Sequence, residues 1–577
     1  MKQFRPNTFR LGFMLFLCVA LFGTLFAKLF IVQFINANEF NQRAKQQYRK
    51  PNEEIPATRG EIFDRNGIRL VTNSITYDLV CEPEKISNPD GMGEAISSVI
   101  GMEPKIVQDR LKGIGGTKSY TIIKKNLDSK IADKIRSFGF KGIWLETRFV
   151  RSYPQQNLAS PLIGFTGNDN HGKYGLEIDF DKELSGESGL RTYPMDSKGI
   201  AGRTYKVLKP VINGKSLYLT IDNTIQFVVE EELERTCKEW NAKGGACVVM
   251  NPQTGEIIAC VSYPTYNLND ALNSNDNQRR NRALNYVYEP GSVFKGIVTA
   301  AALELGKIDD NFTADCAGRT VFKGYRLFCN NRHGHQEKLA EELKNSCNMA
   351  FMKIGQLIGK DLCRFVNDFG FGKKTGTGAH EESGLVKNSC SWDDVTIATV
   401  SYGQGVSVTP LQLAQAYSAL ANGGVLMKPI LVQQIYDPNK GTFERNAPQP
   451  IRQVVSKKTA DHVLRLLTEV VDMKEDGVHQ AKISGYSVAG KTGTTPKTTA
   501  SGDYQFSKFD CSFCGIVPSD PLAPQKFVVL VAIDEPYKTT ASGGRINPFG
   551  STTAAPCFKR IAERILSDLR IAPKEIK

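Results

Sequence analysis

The sequence has no internal repeat, no low-complexity tract and no nucleic-acid-binding motif. Without a repeat, a solenoid or propeller is excluded, because those folds stack one unit many times. Acidic residues are in deficit: 60 Asp and Glu against 73 Lys and Arg leave a formal charge of +13. Such an excess suits an acidic partner surface. The basic residues are scattered and no recognition motif accompanies them, so a membrane or wall fits better than nucleic acid. Cysteine is not scarce; thirteen is a high and odd count. At 577 residues the chain is too long for one core, and two or three domains are expected.

Only one apolar run is long enough to cross a membrane. Leu11 to Ala27 is uncharged, and beyond Lys28 the apolar character resumes through Phe34. The uncharged run sits at the lower edge for a span, and Lys28 extends it by snorkelling to the interface. No A-x-A site follows, so an uncleaved signal anchor is expected rather than a removed leader. Apolar residues all round the helix argue against a buried soluble one. Charge does not fix its orientation, because Lys2, Arg5 and Arg10 on one side face Arg43, Lys45, Arg49 and Lys50 on the other.

Chemistry enters at Glu289-Pro290-Gly291-Ser292-Val293-Phe294-Lys295, which holds the only S-x-x-K of the chain. A Pro-Gly turn feeding the apolar run Val293 to Leu305 predicts a helix start. Helical spacing then puts Ser292 and Lys295 on one face, a nucleophile beside a base, with the helix dipole favouring an oxyanion. Alone the pair is a weak signal, compatible with an ordinary helix start. Lys344-Asn345-Ser346-Cys347-Asn348 follows a helical stretch at 336–344 and supplies a hydroxyl and an amide for proton relay and substrate holding. Later Lys491-Thr492-Gly493-Thr494 supplies a fixed positive charge for a carboxylate and a glycine for close backbone approach. Lys-Thr-Gly-Thr also occurs at Lys374 to Thr377. That copy follows a glycine-broken turn with no strand entering it, and is read as coincidence.

The ordered trio Ser-x-x-Lys, Ser-x-Asn and Lys-Thr-Gly resembles that of penicillin-binding proteins and class A β-lactamases. Nearly the whole chain resembles the class B penicillin-binding proteins. The likeness is carried by Arg59-Gly60-Glu61-Ile62-Phe63-Asp64-Arg65-Asn66-Gly67, Arg151-Ser152-Tyr153-Pro154, Ile163 to Gly167, Gly175-Leu176-Glu177 and Leu219 to Asp222. It continues in Gly403-Gln404-Gly405, Thr409-Pro410-Leu411-Gln412, Ser512 to Gly515 and Ala554-Ala555-Pro556.

The resemblance implies an α+β protein of three parts. Residues 1–35 are a cytoplasmic tail and single transmembrane helix. Residues 36–220 are an extended, non-catalytic pedestal of the dimerisation type. Residues 221–577 are a β-lactamase-like serine transpeptidase domain with a central antiparallel sheet flanked by helices. Short β-like runs (Thr76 to Cys81, Tyr120 to Ile123) and a helical stretch from Asp128 to Phe138 fit the pedestal. A hairpin around Asn251 to Gly255, a helix from Leu411, strands at Ser487 to Thr494, Cys511 to Val517 and Phe527 to Ile533, and a final helix opened by Pro556 fit the catalytic part.

The implied activity is peptidoglycan D,D-transpeptidation. Ser292 attacks the penultimate carbonyl of a stem peptide ending in D-Ala-D-Ala, and an amine of a neighbouring stem resolves the ester. Lys295 is the implied base, Ser346 and Asn348 complete the catalytic set, and Lys491, Thr492, Gly493 and Thr494 bind substrate. The Ser292 and Thr494 N–H groups form the oxyanion hole. β-Lactams acylate Ser292; no metal or cofactor is required. Because no glycosyltransferase domain fits between anchor and pedestal, a membrane glycosyltransferase and other divisome proteins are the implied partners. The implied location is the inner (plasma) membrane, single-pass, with the catalytic domain on the periplasmic or extracellular side. A septal role in division, or a sporulation variant of it, is the main reading, beside an elongation-type enzyme and a β-lactam sensor or scaffold without turnover.

One cluster lies outside this scheme. Cys316, Cys329, His333 and His335 have a C-x12-C-x3-H-x-H spacing, open to three readings: packing residues, a Cys316–Cys329 disulfide, or a metal site. Cys347 is read as filling space.

Overall fold

The computed structural model describes residues 8–36, 53–193, 204–387, 392–473, 477–499, 501–540 and 542–573. Two compact units separate: Met1–Ala57 with Gly186–Asn213, and Thr58–Ser185 with Gly214–Lys577.

In the first unit an α-helix, Thr8–Phe30, closes in a π turn at Ile31–Ile35. Within Phe9–Ile35 an 18-residue window has a mean hydropathy of 2.5, and none of its residues is buried. At about 1.5 Å per residue Phe9–Ile35 is long enough for a hydrocarbon layer of about 30 Å. Of the flanking charges read above, Lys2, Arg5, Arg43, Lys45, Arg49 and Lys50 lie outside the described residues. The same unit holds a three-stranded antiparallel sheet of Glu53–Ile55, Gly189–Thr192 and Lys206–Lys209. There Arg191 grips both carboxylate oxygens of Glu53 and lies over the rings of Tyr193 and Tyr205.

The second unit contains two larger sheets. One runs in the order Thr442–Arg445, Val432–Asp437, Ser216–Leu219, Ile62–Phe63, Arg69–Cys81, Thr121–Leu127, with Ile143–Ser152 also paired to Arg69–Cys81. The β-like run Thr76 to Cys81 is part of Arg69–Cys81, the run from Tyr120 to Ile123 enters its strand one residue later at Thr121, and the pedestal's helix is Ser129–Ser137, capped by the Asp128 carboxylate. Val432–Arg445 joins this sheet from far along the chain, so residues on either side of position 220 share it.

Three family-like segments meet in one buried ion cluster. Arg59 Nε donates to Glu177 Oε2 at 2.7 Å and Arg151 Nε to Glu177 Oε1 at 2.6 Å, with all three side chains almost wholly buried. Arg59 also reaches Asp181, at 2.6 Å. A buried carboxylate between two guanidinium groups satisfies charges that would be costly to bury singly.

The other sheet is antiparallel and runs Ile257–Tyr263, Gly244–Met250, Phe527–Asp534, Tyr504–Val517, Ala489–Thr498. Every residue of Gly244–Met250 and Phe527–Asp534 is buried, as expected for strands covered on both faces. Helix Ala554–Asp568 covers one face, with Phe558 against Phe513 and Gly515; it starts at Ala554 rather than at Pro556, which lies in its first turn. Helix Pro410–Ala421 covers the other, with Ser418 on Met250. Thr409 and Gln412 cap that helix reciprocally, with Pro410 at its first position, so the Thr-Pro-Leu-Gln string is a helix-start device. Ala489–Thr498 forms one edge of the sheet and Ile257–Tyr263 the other.

Candidate active site

Glu289 to Lys295 folds as a left-handed Gly291 (φ 53°), a tight turn over Gly291–Phe294, and then the helix Lys295–Glu304. The helix therefore begins after the serine, and the turn is fixed from outside. Gly291 N–H donates to Gly403 O at 3.0 Å. A Cβ at Gly403 would lie 2.0 Å from Gly291 O, so only glycine fits there. The buried Tyr417 hydroxyl donates to Val293 O at 2.6 Å. Glu289, whose carboxyl burial pushes above its usual range, accepts from Gly405 N–H at 2.8 Å.

Ser346 lies between helices Leu339–Lys344 and Asn348–Ile358 with φ 54°, a left-handed conformation costing a residue with a side chain roughly 1–2 kcal/mol. Its hydroxyl is the hub of the site. Ser346 Oγ is 2.7 Å from Ser292 Oγ, 3.1 Å from Lys295 Nζ and 3.1 Å from Lys491 Nζ. Lys295 spends its remaining donors on Ser346 O at 2.6 Å and Asn348 Oδ1 at 2.8 Å. The lysine thus reaches the nucleophile through Ser346, where the i, i+3 spacing alone suggested direct pairing.

Lys295 and Lys491 are both wholly buried. Burial pushes the Lys295 ammonium down to about 8. Burial first, and then the charge of Lys295, push Lys491 well below its ordinary value. An incoming carboxylate would supply the missing counter-charge.

Lys491 stands on the edge strand, and the crowding at Gly493 has a source that the sequence did not show. A Cβ there would lie 2.7 Å from both Pro290 O and Ser512 Oγ, so the glycine admits the nucleophile's own turn. Thr494 Oγ1 accepts from Gly550 N–H at 2.9 Å, and Thr492 is half-buried on the same strand face. The structure joins Ser292, Lys295, Ser346, Asn348 and Lys491 in one hydrogen-bonded network, with Thr492, Gly493 and Thr494 on the adjoining strand. The other Lys-Thr-Gly-Thr lies outside any strand, where Thr375, Gly376 and Thr377 N–H groups close on Glu381.

The cysteine cluster differs from the one read in the sequence. His335 is exposed and paired with Asp315, whereas Cys347 joins Cys316, Cys329 and His333. Cys347, read as filling space, thus lies beside three metal-ligand-type side chains that sequence distance hid. Cys316 and Cys329 are not bridged.

Comparison with known proteins agrees with this geometry. Residues 245–563 match the family model described as the penicillin-binding protein transpeptidase domain, and residues 54–219 match the penicillin-binding protein dimerisation domain. The chain is 33% identical over 575 residues to Stage V sporulation protein D of Bacillus subtilis (strain 168), covering 98% of this chain and 86% of that protein. It is 30% identical over 575 residues to the probable peptidoglycan D,D-transpeptidase PenA of Neisseria meningitidis serogroup A, covering 98% and 93%. The solved structure of penicillin-binding protein 3 from Mycobacterium tuberculosis, complexed with aztreonam, superposes with a TM-score of 0.69 at 25% identity, covering 90% of this chain and 98% of that one.

Proposed function

The chain belongs to the class B penicillin-binding proteins, and on that premise we propose that it is a serine-type peptidoglycan D,D-transpeptidase whose acyl-enzyme forms on Ser292. The observation that carries this reading is the Ser292–Ser346–Lys295 path, with Lys491 on the same hydroxyl. Lys295, as the neutral amine, takes the Ser292 proton through the Ser346 hydroxyl while Ser292 Oγ attacks the penultimate carbonyl. The Ser292 and Thr494 N–H groups receive the oxyanion; one such donor is worth about 3–4 kcal/mol of transition-state stabilisation. Lys491, Thr492 and Thr494 hold the terminal carboxylate. The proton passes to the departing D-Ala amine, and the ester is resolved by an amine of a second stem peptide. Asn348, held by Lys295 and Phe328 O, orients the substrate amide.

β-Lactams enter the same path and stay on Ser292. Labelled penicillin on the purified chain tests this: one long-lived adduct at Ser292, absent in Ser292→Ala, is the expected result. A short-lived adduct would mean a lactamase, and none at all a scaffold.

The apolar helix supports a single-pass anchor, and family membership supports a catalytic domain outside the plasma membrane. A reporter active only in the cytoplasm, fused after Lys577, should be silent. Septal synthesis with a membrane glycosyltransferase and divisome partners is the cellular reading. The similarity to Stage V sporulation protein D supports a specialised septal role. Depletion should give filaments, whereas round, swollen cells would indicate an elongation enzyme.

A further inference from the structure

Between helices Lys295–Glu304 and Leu339–Lys344 the chain forms two small antiparallel pairs. Asp315–Cys316 pairs with Gly334–His335, and Arg319–Phe322 pairs with Tyr325–Phe328. This module has almost no core: Cys316 and Leu327 are buried, but Val321, Tyr325 and Phe328 are 60–68% exposed. Isolated hairpins are marginal in water, and small modules lacking a core are held by disulfides or metals. At its base four soft ligands converge. Cys316, Cys329 and His333 come from the module and Cys347 from the Ser-x-Asn segment, with all four ligand atoms within 4.8 Å of one another.

We propose that Cys316, Cys329, His333 and Cys347 bind one zinc ion in a closed tetrahedral site that fixes the Ser346–Asn348 segment beside the nucleophile. Three thiols, one imidazole and no carboxylate form the donor set of a structural zinc centre rather than of a hard cation. Zinc–sulfur bonds of about 2.3 Å put tetrahedral sulfurs about 3.8 Å apart, so the cluster closes on the ion with shifts of about 1 Å or less. Cys329 Sγ already lies 3.6 Å from His333 Nδ1. Asn348 N–H donates to Cys329 Sγ at 3.3 Å, the kind of outer-shell bond that orients a metal thiolate.

The ligands come from two separate segments. The ion therefore ties the module to the residue between Ser346 and Asn348, both of which hydrogen-bond Lys295. Four protein ligands leave no open position, so the ion positions and does no chemistry. A disulfide would use two of the three sulfurs and leave a thiol and an imidazole crowded against it.

Full-length protein, purified in detergent with reductant and no chelator, should carry one zinc per chain by elemental analysis. Cys329→Ser and Cys347→Ser should each lower this below a tenth, and His335→Ala should retain it. Because a lost ligand can also unfold the module, His333→Cys gives an independent reading: it should keep the metal and shift the cobalt-substituted spectrum toward four thiolates. Removing zinc should slow labelled-penicillin acylation at least tenfold, and zinc alone should restore it. Wild-type protein without zinc and with all thiols reactive, or with a mass deficit of one Cys–Cys bridge, overturns the site. Zinc retained by both Cys→Ser variants does so too. Acylation unchanged by zinc removal overturns the positioning role. Metal content is read without turnover, so this test is separate from that of the transpeptidase reading.

Discussion

Lys295 and Lys491 converge on one oxygen: each Nζ lies 3.1 Å from Ser346 Oγ. Two buried ammonium groups around one hydroxyl repel, so the site without substrate favours one neutral amine. That amine is what a nucleophilic serine needs. The substrate carboxylate then pairs with the ammonium of Lys491, coupling substrate entry to the division of labour between them.

Ser346→Ala should slow acylation by labelled penicillin about a hundredfold or more, the scale of a lost proton-transfer route. The thermal midpoint should move far less, because Ser346 is only half-buried and lies outside the helices that flank it. Stopped-flow acylation with a melting curve checks both. A slowing under threefold would mean that Lys295 reaches Ser292 without the relay.

Acylation should rise with pH and level off near pH 8. The active form of Lys295 is the neutral amine, and its ammonium is pushed down to about 8, chiefly by burial. Below that value the base is protonated and the rate should fall tenfold per pH unit; above it the rate should plateau. Measuring the second-order rate from pH 6 to pH 10 gives the curve. A flat profile would remove Lys295 as the base.

The chemical pair was legible because a helical turn makes i and i+3 neighbours, and the edge strand because Ser487 to Thr494 reads as a strand with another at Cys511 to Val517 beyond it. Helix ends were less legible: the turn at Gly291–Phe294 delays the helix to Lys295, since Gly403 and Tyr417 bind it from remote segments. Neither contact leaves a local pattern. The same holds for Cys347, whose ligand-like neighbours lie far back in the chain, and for Arg59 and Glu177, recognisable as family strings but not as partners.

Glu177→Gln should destabilise the second unit strongly, leaving Arg59 and Arg151 buried without their shared carboxylate. Breaking such a pair from one side costs about 3–5 kcal/mol. The thermal midpoint should fall clearly, while penicillin acylation of the remaining folded protein at low temperature should stay near wild type. A midpoint unchanged within error would show that the cluster contributes nothing to stability.

The two Lys-Thr-Gly-Thr copies give the sharpest contrast. In the first, the N–H groups of Thr375, Gly376 and Thr377 and the Thr375 hydroxyl already surround the Glu381 carboxylate, so its anion is part of the chain. In the second, Lys491 is buried beside Ser346 on an edge strand, and its counter-charge is absent until a substrate brings one. Lys491→Ala should therefore slow acylation about a hundredfold or more, the loss expected of a group that holds the reacting molecule in place. Lys374→Ala should stay within about twofold, since its side chain belongs to no network around Ser292. Glu381→Gln should lower the thermal midpoint without changing acylation, because an amide cannot accept all the hydrogen bonds that the carboxylate does; one unmet buried donor costs about 1–3 kcal/mol. If Lys374→Ala slowed acylation as much as Lys491→Ala, substrate would have to bind at a loop whose donors are already occupied, and the edge strand Ala489–Thr498 would lose its assignment.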